Sequence, residues 1–145
     1  MADEMRLVND WALMAQFAQE YRNLSDRFMD QIEMHRSQAT ALCKLYMQDG
    51  LTQSEIAQQL SIQGATLTDM LQRMEEAELV TRRRDLEDNR LVRVYLTEMG
   101  RQKERSIREQ FAKLEEAVFA GFSEPERVLM RRFLNSTLTN MNRVS

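Results

Sequence analysis

Residues 51–100 read LTQSEIAQQLSIQGATLTDMLQRMEEAELVTRRRDLEDNRLVRVYLTEMG. Thr52 and Glu55 sit three apart at the head of this stretch. The threonine hydroxyl can accept from the amide of Glu55 while the glutamate reaches back to the amide of Thr52, a capping box. Ile56, Ala57 and Leu60 then lay an apolar stripe along a short helix. Ala57 is small where a second helix must cross. Ser61, Ile62, Gln63 and Gly64 make the turn, with Ile62 as its apolar plug.

A second helix is predicted from about Gly64 to Glu78, with Leu67, Met70, Leu71 and Met74 on its buried face. Ala65, Thr66, Thr68, Asp69, Gln72 and Arg73 fall on the outward face. Strand patterns follow at residues 79–84 and 91–97, where Val92, Val94 and Leu96 alternate with Leu91, Arg93 and Tyr95. The link between them holds Asp85, Asp88 and Arg90, and Arg82, Arg83, Arg84, Arg90 and Arg93 cluster in this hairpin. Two helices, a tight turn and an arginine-tipped hairpin make a winged helix-turn-helix, a module that reads DNA. Short polar side chains on the second helix suit base edges, and its N-terminus suits phosphate. An arginine on a thin loop suits a narrow, electronegative minor groove.

The chain here resembles the MarR family of transcriptional regulators. The likeness is carried by L-T-Q-S-E-I-A-Q-Q-L from Leu51 and L-T-D-M-L-Q-R-M-E from Leu67, then by Asp88 with Arg90, and last by L-T-E-M-G from Leu96. It implies a mainly α fold in which residues 37–97 form the winged helix-turn-helix and residues 1–36 and 98–145 form helical dimerisation regions. It implies a sequence-specific regulator of double-stranded DNA, acting as a homodimer and mostly as a repressor. Arg90 would enter the minor groove and Asp88 would hold an arginine. Phosphate contacts are expected from Arg82, Arg83, Arg84 and Thr68, and base readout from Gln63, Ala65, Thr66, Thr68 and Asp69. Arg73 and Arg93 complete the expected DNA-facing set.

Two departures stand out. Asp69 occupies a position where the family often has arginine; it either reads a cytosine amino group or weakens binding. Glu78 stands where the family usually has glycine, so a slightly different exit from the second helix is expected.

The flanks read as helices. Residues 3–34 repeat Leu7, Met14, Tyr21 and Phe28 at intervals of seven, with Trp11, Phe17, Ala18, Leu24 and Ile32 on neighbouring rows. That aromatic face packs either within one protomer or on a second one; the economical arrangement interleaves it with a partner. A helix with Ala39, Leu42, Cys43, Leu45, Tyr46 and Met47 should back the helix-turn-helix and end at Asp49 and Gly50. After the hairpin, one long helix is expected from Thr97 to about Gly121, basic in its first half. A second capping box, Ser123 with Glu126, then opens a helix carrying Val128, Leu129, Phe133, Leu134, Leu138 and Met141. A homodimer would present two recognition helices to a near-palindromic site.

Bulk composition narrows the alternatives. The chain has 145 residues, 30% charged and 43% hydrophobic, with a net charge of −3. This is ordinary for a globular domain, and a local basic face matters more than the total. A single cysteine, Cys43, excludes an intrachain disulfide and fits a cytoplasmic setting. No apolar run approaches the ~20 residues of a membrane span. No metal-ligand spacing surrounds His35, no cofactor loop is present, and no nucleophile–base pair suggests an enzyme. Relatives that sense organic hydroperoxides use a cysteine in the first helix, which this chain lacks there. The resemblance also implies a small aromatic effector, for which Trp11, Met14, Phe17, Tyr46 and Met47 are the candidate pocket; methionine as plain core filler is the other reading. The competing reading of the whole chain is a winged-helix dimerisation or protein-interaction module that has lost DNA binding.

Overall fold

The computed structural model describes residues 1–144. Among them the elements run α1 (Ala2–Asp30), α2 (Arg36–Met47), α3 (Gln53–Leu60), α4 (Gly64–Glu76), β1 (Val80–Arg84), β2 (Val92–Leu96), α5 (Glu98–Gln102), α6 (Glu104–Val118) and α7 (Glu124–Val144). The chain divides into two compact units, Met1–Phe111 and Ala112 onward. No helix among the described residues is long and apolar enough to cross a membrane.

The first unit is a mainly helical winged helix-turn-helix. Its core gathers Met29, Leu42, Leu45, Ile56, Leu67, Leu71, Met74, Val80, Val94 and Ile107, all essentially shut off from solvent. Each large aliphatic side chain buried this way contributes roughly 1.5–3 kcal/mol. The core is what fixes α4: Leu67, Leu71 and Met74 recur at helical spacing, so the opposite face must point to solvent.

The two strands pair antiparallel, Val80 opposite Leu96 and Arg84 opposite Val92. Val94 and Leu96 point inward, as the alternation requires. A short bridge from Thr52 to Arg93 ties the hairpin base to the start of α3. The same seam has the Gly50 amide donating to Val94 and the Val94 amide donating to Leu51. Gly50 lies at φ +79, and a Cβ there would sit 3.0 Å from the Tyr95 ring. Only glycine meets both demands.

Two local outcomes differ from the sequence reading. The first helix stops at Asp30 rather than Met34; Glu33 turns left-handed at φ 55 and Met34 folds back into the core. His35 then caps α2, its Nδ1 accepting from the amide of Ser37. The single helix expected after the hairpin is two, interrupted at Lys103. The break falls where the Tyr46 hydroxyl donates to the carbonyl of Gly100, the group a continuous helix offers to the amide of Glu104.

The second unit contains the predicted capping box. Ser123 Oγ accepts from the Glu126 amide at 3.3 Å, and Glu126 Oε1 accepts from the Ser123 amide at 2.9 Å. Hydrogen bonding from the Ser123 amide and side chain holds the Glu126 carboxyl below its ordinary range. Val128, Leu129, Phe133, Leu134 and Leu138 of α7 are all exposed in the single chain.

Candidate nucleic-acid interface

The helix-turn-helix starts at the capping box that the spacing predicts. Thr52 Oγ1 accepts from the Glu55 amide at 3.1 Å, and Glu55 Oε2 accepts from the Thr52 amide at 2.8 Å. Thr52 is buried, so the cap also saves a polar group that burial would otherwise penalise. Ser61 closes α3 in the left-handed conformation, φ 54, and the Ile62 amide returns to the carbonyl of Ala57. Ile62 packs on the core as the turn's plug.

Gln63, Ala65, Thr66, Thr68, Asp69 and Arg73 all lie on the exposed side of α4 and its N-terminal turn. Thr68 is already engaged: its hydroxyl donates to the carbonyl of Gly64 at 2.9 Å and accepts from Gln53 Nε2 at 3.4 Å. Among the described residues, Asp69 has no cation within ion-pair distance, and Arg73 one turn later has no carboxylate within it.

The hairpin arginines divide into two groups. Arg84, Arg83 and Arg90 are exposed. Arg90 extends into solvent with 89% of its side chain accessible while Asp88 grips it, Oδ1 accepting from Nε and Oδ2 from Nη2, both at 3.0 Å. That pairing lowers the Asp88 carboxyl and raises the Arg90 guanidinium. Arg83 stacks 5.0 Å from the centre of the Tyr95 ring, and Arg84 Nη1 donates to the carbonyl of Asn89 at 2.7 Å.

Arg82 and Arg93 are spent inside the protein. Arg82 Nε donates to Glu75 Oε1 at 2.6 Å, and its Nη1 reaches Gln53 Oε1 at 3.4 Å. Arg93 pairs with Asp85 and donates through Nη1 to the carbonyl of Gly50 at 2.8 Å. The Arg93 guanidinium, helped by the amides of Asp88 and Glu87, pulls the Asp85 carboxyl down to about 2. Gln53, Glu75, Arg82, Arg83, Arg84 and Val92 line an open groove of about 360 Å³ between α4 and the hairpin.

The sequence reading missed Gln53, Glu75, Asp85 and Asp49. Asp49 Oδ1 accepts from the Leu96 amide at 2.9 Å and Oδ2 from Arg101 Nη2 at 2.9 Å, anchoring the hairpin base. A polar residue after a helix followed by glycine was the only signal for Asp49.

A model of the MarR family matches residues 34–92. The organic hydroperoxide resistance transcriptional regulator of Bacillus subtilis (strain 168) is 35% identical over 103 residues, covering 68% of this chain and 67% of that protein. This chain belongs to the MarR family. A second relative from the same bacterium, the uncharacterised HTH-type transcriptional regulator YdgJ, is 31% identical over 75% of this chain and 66% of its own length. This MarR-family chain is also similar to S. aureus MepR as solved in a complex with DNA: 28% identity, TM-score 0.79, with 89% of this chain and 96% of that one covered.

Glu78, where the resemblance implies a glycine, takes the left-handed backbone at φ 60 at the end of α4. The Leu79 amide donates to the carbonyl of Met74 and the Glu78 amide to that of Glu75, both at 2.9 Å, and buried Leu79 holds the turn closed.

The five candidate pocket residues are scattered in burial. Trp11, Met14, Phe17 and Met47 are 71%, 58%, 43% and 82% exposed, so the single chain buries none of them. Tyr46 is half-buried, and burial with the nearby Cys43 and Glu104 pushes its phenol up to about 12. Cys43 lies on α2 rather than in the first helix, and burial raises its thiol. A raised thiol is a poor nucleophile at neutral pH.

Proposed function

We propose that this protein is a homodimeric transcriptional regulator that binds a specific double-stranded DNA sequence and represses from it. The observation that carries this reading is the pairing of an exposed polar face on α4 with a presented Arg90 on the hairpin tip. A recognition helix sized for the major groove beside an arginine sized for the minor groove is the arrangement that duplex DNA fits. The likeness to MepR in its DNA complex supports it.

Base readout falls to Gln63, Ala65, Thr66 and Asp69, and minor-groove contact to Arg90. Backbone phosphates fall to Arg73, Arg83, Arg84 and the α4 N-terminus. Arg82, Arg93 and Asp88 belong to the same surface as supports. Residues 37–97 act as the DNA-reading domain, with the flanking helices joining two protomers. The exposed apolar residues of α1, Trp11, Met14 and Phe17 among them, supply surface for that union, as do those of α7. A small aromatic effector would take the space that Trp11, Met14, Phe17, Tyr46 and Met47 enclose once a partner covers them. The protein works as a cytoplasmic, non-enzymatic regulator.

Footprinting on DNA upstream of its own coding region tests the reading. Two protected blocks with centres about 34 Å apart are expected for a two-fold dimer. Uniform cleavage at every protein concentration, with the dimer intact in sedimentation, would favour a winged-helix interaction module instead. The exposed carboxylate of Asp69 is the feature that would explain that outcome.

A further inference from the structure

We infer that Asp69 is a specificity-determining residue that selects cytosine at one position of each half-site, an inference that rests on the DNA-binding reading above. The structure first removes its neighbour from the task. The only proton of the Thr68 hydroxyl goes to the carbonyl of Gly64, and Gln53 occupies its acceptor side. Thr68 can offer a base its methyl group but no donated bond.

Asp69 is the next residue on the exposed face, and its carboxylate is uncommitted: among the described residues no arginine or lysine pairs with it. Arg73, one turn on, is equally unpaired and offers a positive charge to offset the anion near the DNA backbone.

A carboxylate only accepts hydrogen bonds. Phosphates repel it, and so do the acceptor edges of guanine and thymine. Two major-groove donors remain, the amino groups of cytosine and adenine. The adenine amino group lies between two acceptors, its own N7 and the O4 of the paired thymine, which oppose a carboxylate. The cytosine amino group has an acceptor on one side only, the O6 of guanine. Cytosine is therefore the base that Asp69 tolerates best. The remaining bases are rejected by leaving the carboxylate desolvated against an acceptor, a larger effect than the bond gained.

Selection of bound duplexes from a randomised pool tests this with the parent, Asp69→Asn and Asp69→Ala. Asp69 is exposed, so both variants are expected to keep the fold, which circular dichroism checks. The parent is expected to enrich cytosine at one position per half-site by at least about fivefold over each other base. Asp69→Asn is expected to move that position toward adenine, whose N6 and N7 match a side-chain amide. Asp69→Ala is expected to flatten that position and leave the others. Identical preferences in all three proteins, with the parent selecting a clear site, would overturn the assignment of Asp69 alone. A parent that enriches no sequence would overturn the DNA-binding reading and this inference together.

Discussion

Asp88 holds Arg90 by both carboxylate oxygens at 3.0 Å while the guanidinium stays almost wholly in solvent. A pair this exposed contributes little to stability. Its effect is on direction: the arginine loses rotamer freedom before it meets a ligand, so less is lost on binding.

Arg90→Ala should therefore weaken binding to the operator by roughly tenfold or more, the scale of one charge-assisted contact. Unfolding temperature and dimer mass should not change. Asp88→Ala should weaken binding less, since the arginine remains but wanders. Equal affinities of parent and Arg90→Ala at matched salt would remove the hairpin tip from the interface.

Glu75 and Arg82 join α4 to β1 at 2.6 Å, and each side chain is about a quarter to a third exposed. Glu75 Oε2 also accepts from the Arg82 amide at 3.2 Å. Glu75→Ala leaves both donors without this partner and should cost about 0.5–1.5 kcal/mol in urea unfolding. It should also weaken DNA binding, because the angle between recognition helix and hairpin is no longer fixed. A variant with parental stability would show that the packing of Leu79 and Val80 sets that angle unaided.

Glu78 carries a left-handed backbone at φ 60 with an exposed side chain. A side chain in that conformation costs roughly 1–2 kcal/mol, and glycine returns part of this as unfolded-chain entropy. Glu78→Gly should stabilise the protein by about 0.5–1 kcal/mol with DNA affinity unchanged. Thermal unfolding of the two proteins side by side decides the sign.

Gly100 faces the opposite constraint. A Cβ there would overlap the carbonyl oxygen of Leu79, which is backbone and cannot swing away. Gly100→Ala should destabilise by about 1–3 kcal/mol or more. Urea midpoints measure it; a neutral variant would mean that α5 slides freely over the hairpin base.

Asp85 gives the fold a pH signature. Its carboxyl falls from 3.8 to about 2 on pairing with Arg93 and the hairpin amides. A depressed folded value means stabilisation present above 3.8 and lost as pH falls through about 2. The stability gap between parent and Asp85→Asn should thus be constant near neutrality and shrink steadily in that acid window. A gap independent of pH throughout would show that the asparagine fails for its shape rather than its charge.

Much of this was legible in the chain. Both capping boxes, at Thr52 and Ser123, formed as their spacing predicts, because a cap is a local bargain among four residues. The apolar rows of α3 and α4 located the turn, and through it the exposed face of α4. What stayed hidden depends on partners distant in sequence. Arg82 and Arg93 read as DNA-facing cations like their neighbours, and only folding brings Glu75 and Asp85 to them. The break at Lys103 has no proline to announce it; it rests on Tyr46 reaching across from α2 to the carbonyl of Gly100. Glu78 shows the converse, a residue that disfavours its conformation and is overruled by the hydrogen bonds and burial around it.

The most direct test of the account is the affinity of the purified protein for the duplex upstream of its own coding region, set against a scrambled duplex of equal length and composition at physiological salt. Tight, salt-steep binding to the first is expected, at least ~1,000-fold stronger than to the second. Equal, weak affinity for both would contradict it.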